Sequence, residues 1–267
     1  MLFENIKNFY NGLTIFPKIG ITIVAIVVLI SLVCVIISTI GVLGKNKAQK
    51  VGEKYEKYVA KAFKKRFKHN AIRNIIFTKD NGKTTEMDMA IVTRKGIFCV
   101  ECKHRNMPAE IGNCGVVKAT AEDDIWSYID EYNRSYPLLD NPLKQNEGHI
   151  KELTSHIANA KCYNVVVINK LIKYYSTTTG GIGMGSLYCN PEKDANIIVT
   201  LGEYYKTKSL KMLAKEFKNM PDVYTDAEVM SIENELRKYK ATKKQRKQHA
   251  AQFTDNEDFS EYDDLFK

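Results

Sequence analysis

The longest apolar stretch of the chain lies near its start. Residues 19–43, IGITIVAIVVLISLVCVIISTIGVL, contain no charged side chain and are flanked by Lys18 and Lys45. A helix of this length would rise about 37 Å, enough to cross the hydrocarbon core of a bilayer with some tilt. A cleaved signal peptide fits less well, because its apolar region is shorter and no small-residue cleavage site follows here. The pattern predicts a transmembrane helix at 19–43.

Basic residues are distributed unevenly around this predicted helix. Five lysines follow it closely: Lys45, Lys47, Lys50, Lys54 and Lys57. Lys7 and Lys18 precede it. The positive-inside rule therefore predicts a single-pass membrane protein whose C-terminal part lies in the cytoplasm. Apolar residues at helical spacing within 1–18 indicate an arm that lies along the membrane interface.

Shorter apolar patterns predict one folded domain over residues 44–240. An i, i+4 apolar stripe predicts an amphipathic helix at 51–67, and Asn141 with Pro142 marks the start of another helix. Strands are predicted at 73–78, 84–93, 97–104, 163–169 and 195–200, and further helices from 209 to 240. This order predicts an α/β fold with a mixed sheet flanked by helices, rather than a βαβ series. Residues 105–140 are expected to be irregular, with Trp126 on a short helix.

The last segment of the chain, residues 241–267, separates its charges. The basic run RKYKATKKQRKQH, which begins just before this segment, is followed by the acidic DNEDFSEYDDLF. Blocks of like charge are typical of solvated, mobile segments, so we expect an exposed helix end and a charged, mobile tail. The alternative is that the basic run contacts phosphates and the acidic run competes for it.

Composition limits the classes of protein to consider. The 267 residues are 44% hydrophobic and 27% charged, which indicates a folded chain, and the net charge is +9. An excess of positive charge favours a polyanionic partner, either nucleic acid or an anionic membrane surface. The six cysteines are irregularly spaced, which is typical of reduced, intracellular cysteines rather than of a disulfide framework.

Charged residues interrupt two of the most apolar predicted strands. In MDMAIVTRKGIFCVECKH, residues 87–104, Asp88 lies in the first strand, and Glu101 and Lys103 lie in the second. Because side chains alternate along a strand, Glu101 and Lys103 share one face and Cys102 the other. In a normal hairpin Asp88 can lie beside Glu101, where two carboxylates repel each other unless a cation binds between them.

Two interpretations of these residues remain open from the strands alone. A divalent cation such as Mg²⁺ is held by one or two carboxylates, waters and a substrate phosphate, and Lys103 could reach that phosphate or orient water. An ordinary buried ion pair between an acid and Lys103 would give the same local pattern.

Four motifs, in order over about residues 51–170, resemble the nuclease-related domain family, NERD, of the PD-(D/E)xK nuclease superfamily. The family's opening motif resembles VGEKYEKYVAKAF, with Gly52 and Glu56. Its T-E-x-D motif resembles 85–88, its G-I-F-x-x-E-x-K strand resembles 96–103, and its N-P-x-x-Q helix resembles 141–145.

The resemblance implies a restriction-endonuclease-like core and a site. It implies Asp88 and Glu101 as ligands of Mg²⁺ or Mn²⁺, with the backbone carbonyl of Cys102 as a further ligand, and Lys103 as the catalytic lysine. Glu56 would approach from the first helix and Gln145 from the later one. The implied substrate is nucleic acid, DNA in the first instance. The chain departs from the family at Cys102 and His104, which flank the lysine, and in the turn that follows.

Two other functions use the same residues differently. The domain could be a binding module that holds nucleic acid or a protein at the membrane without turnover. A structural membrane protein would show no response to metal ions.

Three further features are interpreted as structural. Cys99 and Cys102 of CVEC should face opposite ways and cannot close on one metal. GGIGMG at 180–185 is expected to be a flexible loop, since no Lys-Ser/Thr pair follows it. His149 falls one turn after Gln145 and is expected to be exposed, with lining of a nucleic-acid cleft as the alternative.

Overall fold

A computed structural model gives the arrangement of the chain. It describes residues 2–12, 14–105, 116–130, 132–170, 172–175, 182–185, 187–189, 195–202 and 208–254. The chain divides into two compact units, Met1–Val51 and Gly52–Lys267. The acidic run DNEDFSEYDDLF and residues 106–115 lie outside the described residues.

Helices and strands alternate irregularly along the described chain. The helices are α1 Leu2–Gly12, α2 Ile15–Phe67, α3 Pro142–His156, α4 Lys208–Lys218, α5 Asp226–Lys238 and α6 Lys243–Thr254. The first six strands are β1 Ile72–Thr78, β2 Thr84–Thr93, β3 Gly96–Lys103, β4 Val116–Thr120, β5 Ile125–Ile129 and β6 Ser135–Asp140. The remaining strands are β7 Cys162–Ile168, β8 Ile172–Tyr175, β9 Ile182–Gly185, β10 Leu187–Cys189 and β11 Asn196–Thr200.

The N-terminal unit consists of α1 and the first part of α2. Aliphatic side chains of this part of α2, such as Ile19, Val24 and Leu29, are more than half exposed. Among the residues that the structure describes, no helix is both long and apolar enough to cross a membrane, and the predicted transmembrane helix at 19–43 is not confirmed.

A six-stranded mixed sheet forms the centre of the second unit. Its strand order is β1-β2-β3-β7-β11-β10. The first three strands pair antiparallel, β3, β7 and β11 are parallel, and β10 is antiparallel to β11. The predicted strands and the hairpin at 93–96 are confirmed, and so is the α/β fold with a mixed sheet flanked by helices.

Helices cover both faces of this sheet. On one face, the predicted stripe of α2 packs with α4, and Val59, Phe63 and Leu213 are completely buried against Phe98 and its neighbours. On the other face, α3 and α5 pack against Ile97 and Ala90 through residues such as Leu153 and Leu236. Each large side chain buried this way contributes about 1.5–3 kcal/mol of hydrophobic stabilisation.

A second sheet corrects the expectation of irregular structure between 105 and 140. Its five strands have the order β6-β5-β4-β8-β9. Trp126 lies in strand β5 rather than on a short helix, is fully buried, and donates its indole N–H to the Thr120 carbonyl at 2.8 Å. The alternating burial of Trp126 and Tyr128 is the period-2 pattern of a strand, which the mixed composition around it obscured.

The expectation of a flexible loop at GGIGMG is wrong. Residues 182–185 of GGIGMG form β9, which pairs antiparallel with β8. Residues 243–254, within the segment expected to combine an exposed helix end with a mobile tail, form helix α6. Its described contacts are to Thr84 and Glu86 of β2 and to Glu53 of α2, and the sequence pattern does not show them.

Two glycines provide a paired test of this fold. At Gly96 φ is +135°, and an added Cβ would lie 2.7 Å from Tyr163 Cε2 and 2.8 Å from the Lys161 carbonyl oxygen. At Gly148, in the middle of α3, an added Cβ would meet nothing within 4 Å. We expect Gly96→Ala to lower the free energy of unfolding by more than about 1 kcal/mol, because strain and overlap combine. We expect Gly148→Ala to raise it by about 0.5–1 kcal/mol, because alanine favours the helix. Denaturant unfolding measures both, and equal effects of the two substitutions would contradict the described hairpin.

Candidate active site

Strand β3 brings an acid and a lysine into the interior of the protein. Glu101 retains only 3% of its exposure, although it is an acid. Its Oε1 lies 2.7 Å from Lys103 Nζ, as expected for side chains two residues apart on one strand face. Lys103 Nζ also donates to Gln145 Oε1 of α3 at 2.7 Å. The lysine therefore joins the strand acid to the helix amide.

Asp88 reaches the same place from β2. Its Oδ2 accepts a hydrogen bond from the Cys102 backbone N–H at 2.8 Å. Burial raises the pKa of the Asp88 carboxyl well above its usual value, and the negative charges of Glu101 and Glu56 raise it further, against the opposing charge of Lys103. The Asp88 carboxylate therefore reaches the backbone between Glu101 and Lys103, and among the described residues no cationic side chain forms an ion pair with it.

The strand is irregular at Asp88, so simple alternation describes its side chains poorly. Met87 and Ala90 pack in the cluster beneath α3 and α5, whereas Met89 packs in the cluster beneath α2. In a regular strand, Met87 and Met89 would share a face. Across from Asp88 in β1 stands Asn74, which adopts a left-handed φ of 57°.

Glu56 approaches from α2, as the resemblance implies, and Glu53 does not take its place. Glu56 Oε2 pairs with Arg73 Nη2 of β1 at 2.8 Å, and its charge acts on Asp88. Glu53 instead pairs with Arg246 of α6, at 3.3 Å from Nη1. The same arginine holds Glu86 through its Nε at 2.7 Å. The contributions of Arg73 and Arg246 were not visible in the sequence, since both lie outside the motifs.

Helix α3 is fixed to the sheet by buried amides. Asn141 caps the helix by accepting from the Leu143 N–H at 2.9 Å. The buried Asn146 side chain donates to the Cys99 carbonyl at 2.8 Å and to Asn164 Oδ1 at 2.9 Å. Asn164 in turn donates to the Leu143 carbonyl at 2.9 Å. Because these bonds are buried and directional, they fix the position from which α3 presents its polar side chains.

His149 belongs to this site, contrary to the expectation of an exposed side chain. It keeps only 5% of its exposure, and its Nδ1 lies 2.8 Å from Thr85 Oγ1. Its Nε2 lies 3.7 Å from Glu101 Oε2. Burial lowers the pKa of the imidazole, while the charge of Glu101 opposes that shift. In the sequence, only its position one turn after Gln145 indicated that His149 lies at the site. The residues around it on that helix face are polar, so the sequence did not indicate that the face is buried.

The donor atoms fit a hard divalent cation. Glu101 Oε2 is buried and has no hydrogen-bond partner among the described residues, so one oxygen of a charged group remains unsatisfied. Carboxylate oxygens are the ligands that Mg²⁺ takes, with waters and phosphate completing its shell. Within the described ranges, there is no group of three or more His, Cys, Asp or Glu side chains that could hold a metal ion. A cation at Asp88 and Glu101 therefore requires oxygen ligands from the backbone, water or substrate.

Cys102 can contribute through its backbone rather than through its thiol. Its side chain packs against the cluster beneath α2, whereas Cys99 packs in the cluster on the opposite face. The two thiols of CVEC therefore point apart, as strand alternation predicts. Burial and the nearby charge of Asp88 raise the pKa of the Cys102 thiol well above its usual value, which disfavours a thiolate ligand.

Comparison with known proteins gives one finding about this part of the chain. No curated protein and no solved structure matches this chain. A family model described as the nuclease-related domain, NERD, matches residues 51–171. The matched stretch contains Glu56, Asp88, Glu101, Lys103 and Gln145. Residues 51–171 are therefore similar to the nuclease-related domain, which indicates a nuclease-like function.

Proposed function

We propose that this protein is a metal-dependent nuclease that hydrolyses phosphodiester bonds, in DNA in the first instance. The observation that carries the proposal is the convergence of Asp88, Glu101 and Lys103, together with the unsatisfied oxygen of Glu101. The match of residues 51–171 to NERD supports a nucleic-acid substrate. The finer assignment, a PD-(D/E)xK site in a restriction-endonuclease-like core, rests on the resemblance of the four motifs.

Asp88 and Glu101 would hold Mg²⁺ or Mn²⁺, with the Cys102 backbone carbonyl as a third oxygen donor. The bound ion would polarise the phosphoryl group and lower the pKa of a coordinated water. The Cys102 N–H fixes one oxygen of Asp88, and Lys103 fixes one oxygen of Glu101. Each carboxylate therefore keeps its second oxygen for another ligand.

Lys103 would act on the charge that develops at the scissile phosphate. Its ammonium group is held between Glu101 and Gln145, and its pKa is raised by the charges of Glu101 and Asp88 against the effect of burial. It therefore stays protonated and is placed to stabilise negative charge or to orient the attacking water. Gln145 would position the lysine, and Glu56 would add to the negative field at Asp88.

The first prediction concerns stability in the presence of metal. Mg²⁺ should stabilise the native protein because it binds the crowded carboxylates only when they converge. At a concentration of one hundred times Kd the gain is about 2.7 kcal/mol, or roughly 5–10 °C in Tm for a domain of this size. EDTA should reverse the shift, and thermal unfolding measures it.

Asp88→Asn should remove this response without harming the fold. The substitution keeps the shape of the side chain and removes one of the repelling charges, so the metal-free Tm should stay equal or rise. Asp80→Asn, at an exposed position in the turn after β1, is the matched control and should respond to Mg²⁺ as the native chain does. A full Mg²⁺ shift in Asp88→Asn would exclude Asp88 as a ligand.

The second prediction concerns cleavage. The purified full-length chain should cleave DNA with Mg²⁺ and not with EDTA, and Asp88→Asn should reduce the rate by at least about 100-fold. Lys103→Arg should also reduce the rate, because it keeps the ion pair with Glu101 but changes the position of the charge. Asp80→Asn should cleave at the native rate. Equal cleavage by all of these proteins, or cleavage in EDTA, would reject the proposed site.

A binding module without turnover is the second candidate function. The buried, unsatisfied oxygen of Glu101 is equally suited to a metal ion that binds a phosphate without cleaving it. A shift in Tm with Mg²⁺, combined with no cleavage of DNA or RNA, would favour this function over the nuclease.

We also propose that the chain is attached to a membrane through residues 19–43, with its C-terminal domain in the cytoplasm. The support is the exposed aliphatic surface of α2 between Ile15 and Ile36, since apolar surface of this extent is commonly covered. The lysines that follow this segment support the orientation.

Alkaline extraction of membranes tests the attachment. The full chain should stay in the membrane pellet, whereas Val27→Arg combined with Ile30→Arg should release it, because charge is costly in hydrocarbon. Val223→Arg, at an exposed position in the second unit, should leave the pellet fraction unchanged. Release of the native chain at high pH would contradict the proposal.

A further inference from the structure

Helix α6 has no apolar face to explain why it packs on the domain. Its sequence is KKQRKQHAAQFT, with basic residues on most of its first two turns and no acid. Helices of soluble domains normally gain stability by burying an apolar stripe. In α6, the described contacts to the rest of the domain are polar, so burial of carbon surface does not account for its position.

The start of α6 is fixed beside the candidate site. The segment before it continues the sheet at β1, where the Ala241 N–H donates to the Asn74 carbonyl at 2.8 Å and the Ile76 N–H donates to the Tyr239 carbonyl at 3.0 Å. Asn74 of β1 lies between Arg73 and Ile75, which pair with Met89 and Met87 of β2, so it faces the position of Asp88. The first turn of α6 therefore begins one strand away from Asp88.

One face of α6 then follows the first half of β2. Arg246 binds Glu86 and Glu53, His249 Nδ1 lies 2.6 Å from Thr84 Oγ1, and Thr84 donates to Gln252 Oε1 at 2.8 Å. The three helix residues recur every third position, so they share a face. This face is directed at Glu86 and Glu53, two acids near the candidate site.

The other face of α6 presents lysines to solvent. Lys243, Lys244 and Lys247 are exposed and make no hydrogen bond or ion pair with described residues. Lys243 and Lys244 stand in the first turn, where positive side chains oppose the helix dipole and cost stability. An anion bound beside Lys243 and Lys244 would reverse that cost, because its charge is opposite to theirs.

We propose that α6 holds the phosphate backbone of the substrate beside the site, through Lys243, Lys244 and Lys247. The inference rests on the proposed nuclease function and identifies the surface that binds its substrate. The acid-binding face anchors the helix to β2, and the lysine face supplies positive charge close to carboxylates that would otherwise repel nucleic acid. Binding through such lysines is independent of sequence and weakens with salt.

Two matched triple substitutions test this surface. The first replaces Lys243, Lys244 and Lys247 by Ala in the full-length chain. The second replaces Lys208, Lys211 and Lys215 by Ala on the exposed face of α4, which packs at the β11 and β10 end of the sheet, away from β2. Both remove three positive charges and place alanine in a helix, so they differ only in position.

Binding is measured with a short labelled DNA duplex in EDTA over a series of salt concentrations. For the α6 variant we expect Kd to rise at least about tenfold and the slope of log K against log salt to fall by about 2.7, or 0.9 for each lost phosphate contact. The α4 variant should keep the native Kd and slope. Thermal unfolding should give a Tm no lower than the native value for both variants, since the substituted side chains make no described contacts and lysines in a first turn oppose the helix dipole.

The outcomes separate this inference from the proposed function. If the native chain cleaves DNA and the two variants bind it alike, α6 is not the binding surface and the nuclease proposal stands. If binding depends on α6 but no cleavage occurs with Mg²⁺, the surface stands and the nuclease proposal fails. A weaker Kd with an unchanged salt slope, or with a lowered Tm, would mean that α6 supports the fold rather than contacting phosphate. Absence of DNA binding by the native chain would overturn both.

Discussion

The candidate site of the second unit depends on Glu101, an acid that is buried beside Lys103 on a strand of the central sheet. Asp88 and Glu56 come from two other elements, and burial, followed by the negative charges of Glu101 and Glu56, raises the pKa of Asp88 well above its usual value. Charge of one sign in a low-dielectric environment is costly, and a folded protein tolerates it only with compensating charges. Lys103 and Arg73 supply part of this compensation. Asp88 has no ion pair with a described cationic side chain, and Glu101 Oε2 has no hydrogen-bond partner among the described residues.

The surrounding fold makes this arrangement rigid. Lys103 is held between a strand and a helix, and that helix is fixed by the buried amides of Asn146 and Asn164. Catalytic groups need this type of support, because displacements of even 1 Å can cost much of the rate. The position of His149 follows from the same support. Its imidazole fills the space between Thr85 and Glu101 because α3 cannot shift away from the sheet.

Residues distant in the sequence complete the electrostatics. Arg246, from the last described helix, neutralises Glu86 and Glu53 at the edge of the site. Without it, two more carboxylates would add to the negative charge around Asp88 and Glu101. The same helix exposes three lysines to solvent. One face of this basic helix can therefore compensate acids within the fold, while its other face can attract a polyanion.

The sequence by itself determined the elements that have a clear period or cap. The stripe of α2, the hairpin of β2 and β3, and the Asn141–Pro142 start of α3 are local patterns, because apolar spacing and capping depend on residues within one or two turns. The proximity of Glu101 and Lys103 was predictable for the same reason, since residues two apart on a strand share a face. Their resemblance to a nuclease motif placed Asp88, Glu56 and Gln145 in the same site.

Only the tertiary structure decided the features that depend on contacts between distant segments. The second sheet pairs β4 with β8, more than fifty residues later, and no local pattern indicates that pairing. The burial of His149 depends on where α3 lies on the sheet. The packing of α6 on the domain depends on the ion pairs of Arg246 with Glu86 and Glu53. In each case a polar or irregular segment gains its structure from partners elsewhere in the chain. Hydrophobic periodicity cannot register such partners, because it records only how a segment divides its own residues between water and the core.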